Sequence, residues 1–195
     1  DLKASQNGAS VIISSNKSNL ENLILTENTA ATFAEMSANW YGNPAKKLKI
    51  LGVTGTNGKT TVTYMLKAIL EAAGKKVGLI GTIKNLCGDR EIPSINTTPN
   101  AYYLHGLFSE MVKEGCEYVV MEVSSHSLAL DRVSSCEFEV GAFTNITQDH
   151  LDFHKTMENY LEAKSRLFSL CKTGVINNDS DAAKYLIGKA ENCKV

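Results

Sequence analysis

Two kinds of hydrophobic pattern alternate along most of the chain. From residue 48 onward, short apolar runs of strand length are separated by stretches with apolar positions three or four residues apart. The runs predict buried β-strands, and the stretches between them predict amphipathic helices. The predicted strands are residues 48–54, 77–82, 118–123, 140–146 and 174–177, and the predicted helices are residues 59–73, 101–114, 156–170 and 179–188.

This alternation predicts an α/β fold, with a mostly parallel sheet and helices on both of its faces. Ligands of such sheets bind at the carboxyl ends of the strands, so we expect functional residues on the loops that follow strands. Further upstream, residues 9–14 and 22–25 predict two short strands, and residues 29–41 predict a helix. The turn-forming run at residues 42–47, GNPAKK, predicts a domain boundary.

Composition and charge exclude several classes of function. Of the 195 residues, 43% are hydrophobic and 21% are charged, and the net charge is -1. This balance argues against non-specific binding to nucleic acid or to an anionic membrane. No apolar run is long enough to span a membrane, and no signal peptide is visible. Because the first residue is Asp rather than Met, we expect the chain to be a fragment of a longer protein.

Cysteine usage points to a reducing compartment. The five cysteines are an odd number at wide, irregular spacing, and no CxxC pair occurs. That pattern favours free structural thiols over a disulfide framework, a zinc ribbon or a thioredoxin-type site. We therefore expect a cytoplasmic location.

The first chemical motif reads GTNGKTT and follows the predicted strand at residues 48–54. Glycines in such a turn let backbone N–H groups approach phosphate oxygens, and the following helix N-terminus adds positive potential. The side chain of Lys59 would contact the β- and γ-phosphates of a nucleotide, and the Thr60 hydroxyl would hold Mg²⁺. Val53 departs from the strict P-loop pattern, which has glycine there. The residues predicted to bind the phosphates are Gly55, Thr56, Asn57, Gly58, Lys59, Thr60 and Thr61.

The second motif is a carboxylate, Glu122, near the end of the predicted strand at residues 118–123. In nucleotide-binding sheets an acid at this place faces the Mg²⁺ ion that the P-loop threonine holds. A strand-end glutamate by itself is more often a solvated residue, but the nearby P-loop makes Glu122 a candidate magnesium ligand. His126 follows soon after, and its simplest interpretation is a hydrogen-bonded structural histidine.

The third motif combines two histidines with a lysine on an apolar helix face. His150 and His154 are four residues apart, a spacing that suggests zinc, but a third ligand at a convincing spacing is missing. Lys164 lies in the middle of an apolar stripe. Such a lysine must extend its amine to solvent, pair with an acid or lose its charge, because burying a bare ammonium is costly. The stripe comprises Met157, Tyr160, Leu161, Leu167, Phe168 and Cys171, and the opposite face carries Glu158, Glu162, Ser165, Arg166 and Ser169.

In their order and approximate spacing, these motifs resemble those of the Mur ligase family. Members of this family are cytoplasmic, ATP-dependent amide ligases that build the peptide stem of bacterial peptidoglycan, and Val53 is normal for their P-loop. The NTTP, EVSSH and DHLDFH segments are most similar to the member that adds the third amino acid to UDP-N-acetylmuramoyl-L-alanyl-D-glutamate. The matching segments read GTNGKTT (55–61), NTTP (96–99), MEVSSHSL (121–128), TNITQDHLDFH (144–154) and ENYLEAKSRLF (158–168).

The resemblance implies a role for each matching position. Thr60 and Glu122 would bind one Mg²⁺ ion, and His150 and Lys164 would bind a second. Lys164 would be carbamylated by CO₂, and a carbamate supplies the anionic oxygen that a hard cation prefers. Together with Lys59, these side chains would form the catalytic group. The positions that match contacts to the UDP-sugar peptide are Asn96, Thr97, Thr98, Ser124 and Arg132. Leu130 stands where some members carry a glutamine.

The implied reaction is a phosphoryl transfer followed by an acyl transfer. The γ-phosphate of ATP moves to a carboxylate of the acceptor, and the amine of a diamino acid, either lysine or meso-diaminopimelate, displaces it. Family members have three domains. We expect residues 1–46 to be part of the N-terminal, UDP-substrate domain and residues 47–195 to be an incomplete central ATP-binding domain. With the C-terminal amino-acid-binding domain absent, we expect no ligation by this chain alone.

Three alternatives remain open. A related ligase, such as folylpolyglutamate synthase or cyanophycin synthetase, would share the P-loop but not the combination of NTTP with DHLDFH. A P-loop kinase or GTPase would account for Lys59, Thr60 and Glu122 but gives no reason for Lys164. A nucleotide-binding fragment without turnover would also fit, and steady-state release of ADP would distinguish it from an active enzyme.

Overall fold

A central β-sheet organises most of the chain, and the computed structural model describes residues 2–190 and 193–195. The strands are β1 (Ile12–Ser14), β2 (Leu23–Leu25), β3 (Lys49–Thr54), β4 (Val77–Ile80), β5 (Lys84–Cys87), β6 (Arg90–Pro93), β7 (Tyr118–Glu122), β8 (Phe138–Phe143) and β9 (Cys171–Ile176). The helices are α1 (Leu2–Gln6), α2 (Thr29–Trp40), α3 (Lys59–Ala72), α4 (Ala101–Lys113), α5 (Ser125–Ala129), α6 (Leu151–His154), α7 (Met157–Ser165) and α8 (Ala183–Lys189). Short 3₁₀ helices cover Pro44–Lys47 and Arg166–Ser169.

The large sheet has seven strands in the order β6-β5-β4-β7-β3-β8-β9. The four neighbouring pairs β4-β7, β7-β3, β3-β8 and β8-β9 are parallel, which confirms the predicted α/β class. The edge hairpin of β5 and β6 is antiparallel and was not predicted from the sequence. Each of its two strands is only four residues long and contains polar residues. Neither strand therefore shows an apolar run from which it could be predicted. The P-loop strand β3 lies inside the sheet, flanked by β7 and β8.

The two faces of the large sheet carry separate cores. In β7, Val119 and Met121 pack in the same cluster as Phe108 of α4. Val120, between them, packs on the other face with Leu66 of α3 and its neighbours. Neighbouring residues of a strand point to opposite faces, so a strand covered by helices on both sides is apolar along most of its length. The continuous apolar run in the sequence therefore reflects helices on both faces.

The N-terminal residues form a second, smaller sheet. β1 and β2 pair in parallel, with Ile12 opposite Leu23. α2 then packs against α4, where the rings of Tyr41 and Tyr102 lie 5.2 Å apart. The predicted turn is present at Gly42, with φ +72°, and at the next residue, just before the first 3₁₀ helix. The assignment of a domain boundary to this turn stays a prediction.

Several element boundaries differ from those predicted. β8 ends at Phe143 rather than at residue 146, because the residues after it turn to contact the P-loop. The helix predicted over residues 156–170 is α only to Ser165 and then tightens into a 3₁₀ turn. Ser165, predicted on the exposed face, is buried, because α7 also packs against α5, a helix the sequence pattern did not predict.

Two further features concern the helices and the cysteines. Within the described residues, no helix combines the length and the apolar character needed to cross a bilayer. All five cysteines are free thiols, and four of them are buried. Burial raises the pKa of the Cys136 thiol to about 12, so this side chain acts as a small apolar core residue.

Candidate functional site

The turn between β3 and α3 has the backbone geometry that its glycines permit. Gly55 has φ +146°, and a Cβ atom built on it would lie only 2.0 Å from the Thr144 hydroxyl oxygen. Gly58 has φ +84° and caps the N-terminus of α3. The first turn of α3, with Thr61 exposed in it, directs N–H groups without helical partners towards this loop. The strand, the glycine turn and the helix N-terminus from which a phosphate cradle was predicted are therefore all present, and phosphate binding here stays a prediction.

The loop after β8 holds the P-loop in place. The backbone N–H of Thr56 donates to the carbonyl of Asn145 at 2.9 Å, and that of Asn57 donates to the Asn145 side chain at 3.0 Å. In return, the Thr144 hydroxyl donates to the Asn57 carbonyl at 2.7 Å, and the Thr147 N–H donates to the Thr56 hydroxyl at 3.0 Å. Sequence reasoning assigned no role to these loop residues. The signal for them is a set of three polar residues, Thr144, Asn145 and Thr147, directly after a strand that neighbours β3.

Lys59 folds back over the same loop. Its Nζ donates to the carbonyls of Gly55 and Thr56, both at 2.9 Å. Burial lowers the pKa of Lys59, while Glu122 and Asp149 oppose that shift. The amine therefore lies over the loop where a phosphate group would bind, as the motif predicts.

Glu122 lies beside the P-loop and is only 1% exposed. Its Oε1 accepts hydrogen bonds from the Thr60 hydroxyl and the Thr82 N–H, both at 2.9 Å. Its Oε2 accepts from the Thr82 hydroxyl at 3.0 Å. A Cβ atom at Gly81 would lie 2.5 Å from Oε1, so the glycine makes room for the carboxylate. Thr82 is a site residue that sequence reasoning missed, although it ends a predicted strand.

This oxygen cluster fits a divalent cation. The hydrogen bonds that Glu122 accepts from Thr60 and Thr82 come from neutral donors, and the carboxylate charge also acts on the nearby Lys59 amine. A carboxylate beside a threonine hydroxyl is the kind of oxygen-ligand set that Mg²⁺ takes in nucleotide sites. Among the described residues, no group of three or more His, Cys, Asp or Glu side chains is arranged to hold a metal ion.

Lys164 is buried, with 1% of its surface exposed, and its amine points to the P-loop. Its Nζ donates to the Gly55 carbonyl at 2.8 Å and lies 4.3 Å from the ring centroid of Tyr160. Burial lowers the pKa of Lys164 to about 7, with Lys59 adding to the shift and Asp149 opposing it. Extension of the amine to solvent, one of the three alternatives, is therefore wrong. The environment favours loss of the charge.

His150 occupies a strained position at the start of α6. Its φ is +50°, which is uncommon for a residue with a Cβ atom. Its Nε2 lies 3.5 Å from Asp149 Oδ2, and its ring lies 6.0 Å from the ring of Tyr160. Tyr160 also lies beneath the Lys164 amine. The structure therefore brings His150 and Lys164 to the same tyrosine.

A depression of about 240 Å³ opens next to this cluster. It includes all five positions that the resemblance implies for the UDP-sugar peptide, together with two histidines. Leu130, 41% exposed, lies just after α5 in this part of the chain. The lining residues are Asn96, Thr97, Thr98, Ser124, His126, Arg132 and His150.

Thr98 connects the depression to the carboxylate strand. Its hydroxyl donates to the Glu122 carbonyl at 2.8 Å and accepts from the Ser124 N–H at 3.0 Å. Its own carbonyl accepts from the Arg132 guanidinium at 3.2 Å. The Thr97 hydroxyl lies 3.0 Å from that of Thr82, which in turn bonds Glu122. Thr98 is 1% exposed, so it acts mainly by holding Ser124 and Arg132 in place.

The histidines differ from what the sequence indicates. Beside the depression, His154 is a hydrogen-bonded histidine, and its Nε2 lies 2.9 Å from the Ser125 hydroxyl. His126 was interpreted in that way, but its ring makes no protein hydrogen bond within the described residues, so that interpretation is wrong. Instead its ring lies against those of Phe153, at 4.3 Å, and His150, at 4.9 Å. Burial lowers the pKa of His126, and His150 adds to the shift.

Comparison with known proteins agrees with this geometry. Residues 53–195 match the family model described as the Mur ligase middle domain. UDP-N-acetylmuramoyl-L-alanyl-D-glutamate--2,6-diaminopimelate ligase of Caldanaerobacter subterraneus subsp. tengcongensis is 56% identical over 166 residues, 85% of this chain and 34% of that protein. The ligase of the same name from Clostridium botulinum is 51% identical over 201 residues, 99% of this chain and 41% of that protein. A solved structure of a ligase of this name superposes with a TM-score of 0.82 at 31% identity, covering 97% of this chain and 39% of that one.

The chain thus spans between a third and two fifths of the length of these relatives. Folylpolyglutamate synthase of Mycobacterium tuberculosis shares the fold, with a TM-score of 0.68 at 16% identity over 87% of this chain and 47% of that one. The family match covers the P-loop, the carboxylate strand and the segment around Lys164 in one continuous stretch. The chain therefore belongs to the Mur ligase family, and residues 53–195 are the part that matches the family's middle domain.

Proposed function

We propose that the chain is the ATP- and acceptor-binding part of a ligase that adds 2,6-diaminopimelate to UDP-N-acetylmuramoyl-L-alanyl-D-glutamate. The names of its relatives, at up to 56% identity, support this substrate pair. The observation that carries the proposal is the position of Glu122. Its carboxylate bonds Thr60 of the P-loop, and its carbonyl bonds Thr98 of the depression. One residue thus joins a phosphate site to an acceptor site.

The arrangement suits a phosphoryl transfer followed by an acyl transfer. ATP bound at the P-loop would present its γ-phosphate to a carboxylate oxygen of the acceptor. A new O–P bond forms, the bond to ADP breaks, and an acyl phosphate results. The diaminopimelate amine then attacks the acyl carbon, phosphate leaves, and the amine loses a proton. Such chemistry depends on positioning and charge neutralisation, which the basic and oxygen-rich groups of the site supply.

Two magnesium sites belong to this proposal. Thr60 and Glu122 would hold the first ion, and His150 with a carbamate on Lys164 would hold the second. A bound Mg²⁺ neutralises phosphate charge during the transfer. The neutral amine of Lys164 adds to CO₂, forming an N–C bond and releasing a proton. A pKa of about 7 supports this step, because it leaves a substantial neutral fraction at neutral pH.

The domain organisation and location are proposed on related grounds. Residues 1–46 would belong to the UDP-substrate domain, since β1 and β2 form a sheet of their own. Residues 47–195 would form the ATP-binding domain, since the family match begins at residue 53. A cytoplasmic location is consistent with free, mostly buried thiols.

The alternative functions receive less support. Folylpolyglutamate synthase shares the fold, but at 16% identity that likeness does not extend to a substrate. A P-loop kinase or GTPase gives no reason for a buried lysine whose amine bonds the Gly55 carbonyl. A ligase accounts for both the P-loop and this lysine.

Two titrations of the protein test the proposal. Calorimetry with Mg-ADP and with UDP-N-acetylmuramoyl-L-alanyl-D-glutamate should show binding of both. Lys59→Ala should weaken Mg-ADP binding, because it removes the amine that lies over the loop. Lys67→Ala is the matched control, since Lys67 lies further along α3 and pairs with Glu71. Absence of acceptor binding in a protein that binds a folate would favour the folylpolyglutamate alternative and contradict ours.

A further inference from the structure

His126 stands apart from the other histidines of the chain. His105 and His154 each lie within hydrogen-bonding distance of a serine hydroxyl, at 2.8 and 2.9 Å. His150 lies 3.5 Å from the carboxylate of Asp149. Within the part of the chain that the structure describes, neither ring nitrogen of His126 has a protein hydrogen-bond partner.

The ring of His126 is nevertheless held in place. It lies 4.3 Å from the Phe153 ring at an interplanar angle of 37°, 4.9 Å from the His150 ring and 5.4 Å from the His154 ring. Swinging out to solvent would forfeit these three contacts. A ring fixed by packing, whose nitrogens are left without partners, has the features of a group prepared for a ligand.

The location of His126 indicates which ligand it would meet. Its side chain lines the depression together with Ser124 and Arg132. A chain of contacts leads from the P-loop to this depression. Lys164 bonds the P-loop and lies over Tyr160, the Tyr160 ring faces that of His150, and the His150 ring faces that of His126. His126 therefore lies at the far end of that path from the phosphate cradle, on the side of the acceptor.

We propose that the His126 imidazole is a recognition group that donates a hydrogen bond to an anionic oxygen of the carboxylate-bearing acceptor in this depression. The proposal rests on the proposed function, because it takes the depression to be the acceptor site. Arg132 supplies the fixed positive charge of the same depression, and one of its guanidinium N–H groups donates to the Thr98 carbonyl. An imidazole N–H adds a donor of defined direction, since its ring plane is set by Phe153 and its neighbours.

Calorimetric titration of three variants tests the proposal. His126→Phe keeps an aromatic ring against Phe153 but removes both nitrogens. Loss of a hydrogen bond to a charged group should weaken acceptor binding about tenfold to a hundredfold. Binding of Mg-ADP should stay unchanged. His126→Gln and His126→Asn each retain an N–H near one ring nitrogen, and we expect one of them to recover part of the acceptor affinity.

A second measurement needs no substitution. Nitrogen-15 NMR of the histidine rings should show the His126 signal shifting when the acceptor is added and staying in place when Mg-ADP is added. His105 is the internal control, because it is fully buried in α4 and hydrogen-bonded to Ser135. Its signal should not respond to either ligand.

The outcomes distinguish this proposal from the proposed function. Tight acceptor binding by His126→Phe, or an unmoved His126 signal with bound acceptor, would overturn the role of His126 alone. An equal loss of acceptor and Mg-ADP binding in His126→Phe would also overturn it, because it would show a structural role. Absence of acceptor binding to the unsubstituted protein would overturn both.

Discussion

Lys164 is held in an environment that disfavours its usual charge. Its amine is buried, bonds a carbonyl of the P-loop and has Lys59 nearby. Desolvation penalises an ammonium more than a neutral amine, and a neighbouring cation adds to the penalty. The environment therefore favours the neutral form of the amine, and a neutral amine is the form that can add to CO₂.

The first prediction concerns this amine. Carbon-13 NMR of the protein in labelled bicarbonate should show a carbamate signal that is absent in Lys164→Ala. Raising the pH through 7 should strengthen the signal, because the pKa of about 7 means that the neutral amine becomes the main form above it. Lys172→Ala is the control, since Lys172 is exposed and paired with Glu137 and Glu139. A folded, Mg-ATP-binding sample without this signal would contradict carbamylation.

Thr98 supports a second prediction at the same scale. Thr98→Val keeps the shape of the side chain but leaves the Ser124 N–H and the Glu122 carbonyl without the hydroxyl. Leaving such buried groups unpaired should lower the free energy of unfolding by about 1–3 kcal/mol. Acceptor affinity should fall as well, because Ser124 loses the hydroxyl that its backbone N–H bonds.

Urea denaturation measures that loss, and Thr98→Ser is the control because it restores the hydroxyl. Equal stabilities of Thr98→Val and the unsubstituted protein would show that the hydroxyl contributes nothing.

At the scale of elements, the P-loop depends on the loop that follows β8. Residues 144–147 fix its backbone through hydrogen bonds in both directions. Adjacent parallel strands bring their carboxyl ends to one edge of the sheet, which is why two loops distant in sequence meet there. The cradle is thus a property of β3 and β8 together, rather than of the glycine motif alone.

A pair of glycine substitutions tests this dependence. Gly55→Ala would place a methyl group 2.0 Å from the Thr144 hydroxyl oxygen, so it should displace the loop and abolish Mg-ADP binding. Gly74→Ala is the matched control, because Gly74 also has a positive φ, +76°, but has no atom within 4 Å of the added Cβ. It should cost about 1–2 kcal/mol from backbone strain alone and leave binding intact. Calorimetry and thermal melting measure both effects.

At the scale of the whole molecule, a buried histidine couples stability to pH. His105 is fully buried, and its Nδ1 has no hydrogen-bond partner in the described structure. Burial lowers its pKa to about 4, below the ordinary value of 6.5. Between these values the unfolded chain binds a proton that the native state does not, so stability falls as pH falls through that range.

The corresponding prediction is that the free energy of unfolding depends less steeply on pH in His105→Gln than in the unsubstituted protein. The free energy of unfolding should decrease with falling pH, and His105 should contribute about 1.4 kcal/mol per pH unit between its two pKa values. His105→Gln should lose this contribution while keeping a polar group near Ser135. Urea unfolding at a series of pH values measures both slopes. Identical slopes would place the pH dependence in other groups.

The sequence by itself determined the class of the fold and most of its elements. Short apolar runs locate the strands, and apolar positions three or four residues apart locate the helices; these predictions are confirmed for β3, α3, β4, α4 and β7. The edge hairpin was missed because its short, polar strands bury little apolar surface. The P-loop and Glu122 are visible in sequence because a phosphate-binding loop requires glycines at a fixed short spacing, here Gly55 and Gly58, and because Glu122 is an acid at a strand end.

Only the tertiary structure decided how distant side chains meet. The sequence left Lys164 with three alternatives, because the solvation of an amine depends on what the fold places around it. Thr82 lies in none of the motifs, and Asn145 and Thr147 lie in the segment TNITQDHLDFH without an assigned role. The contacts of all three follow from which strands are neighbours in the sheet. His126 became a candidate for the same reason: an unpaired ring nitrogen is defined by the absence of partners in space, which no spacing along the chain encodes.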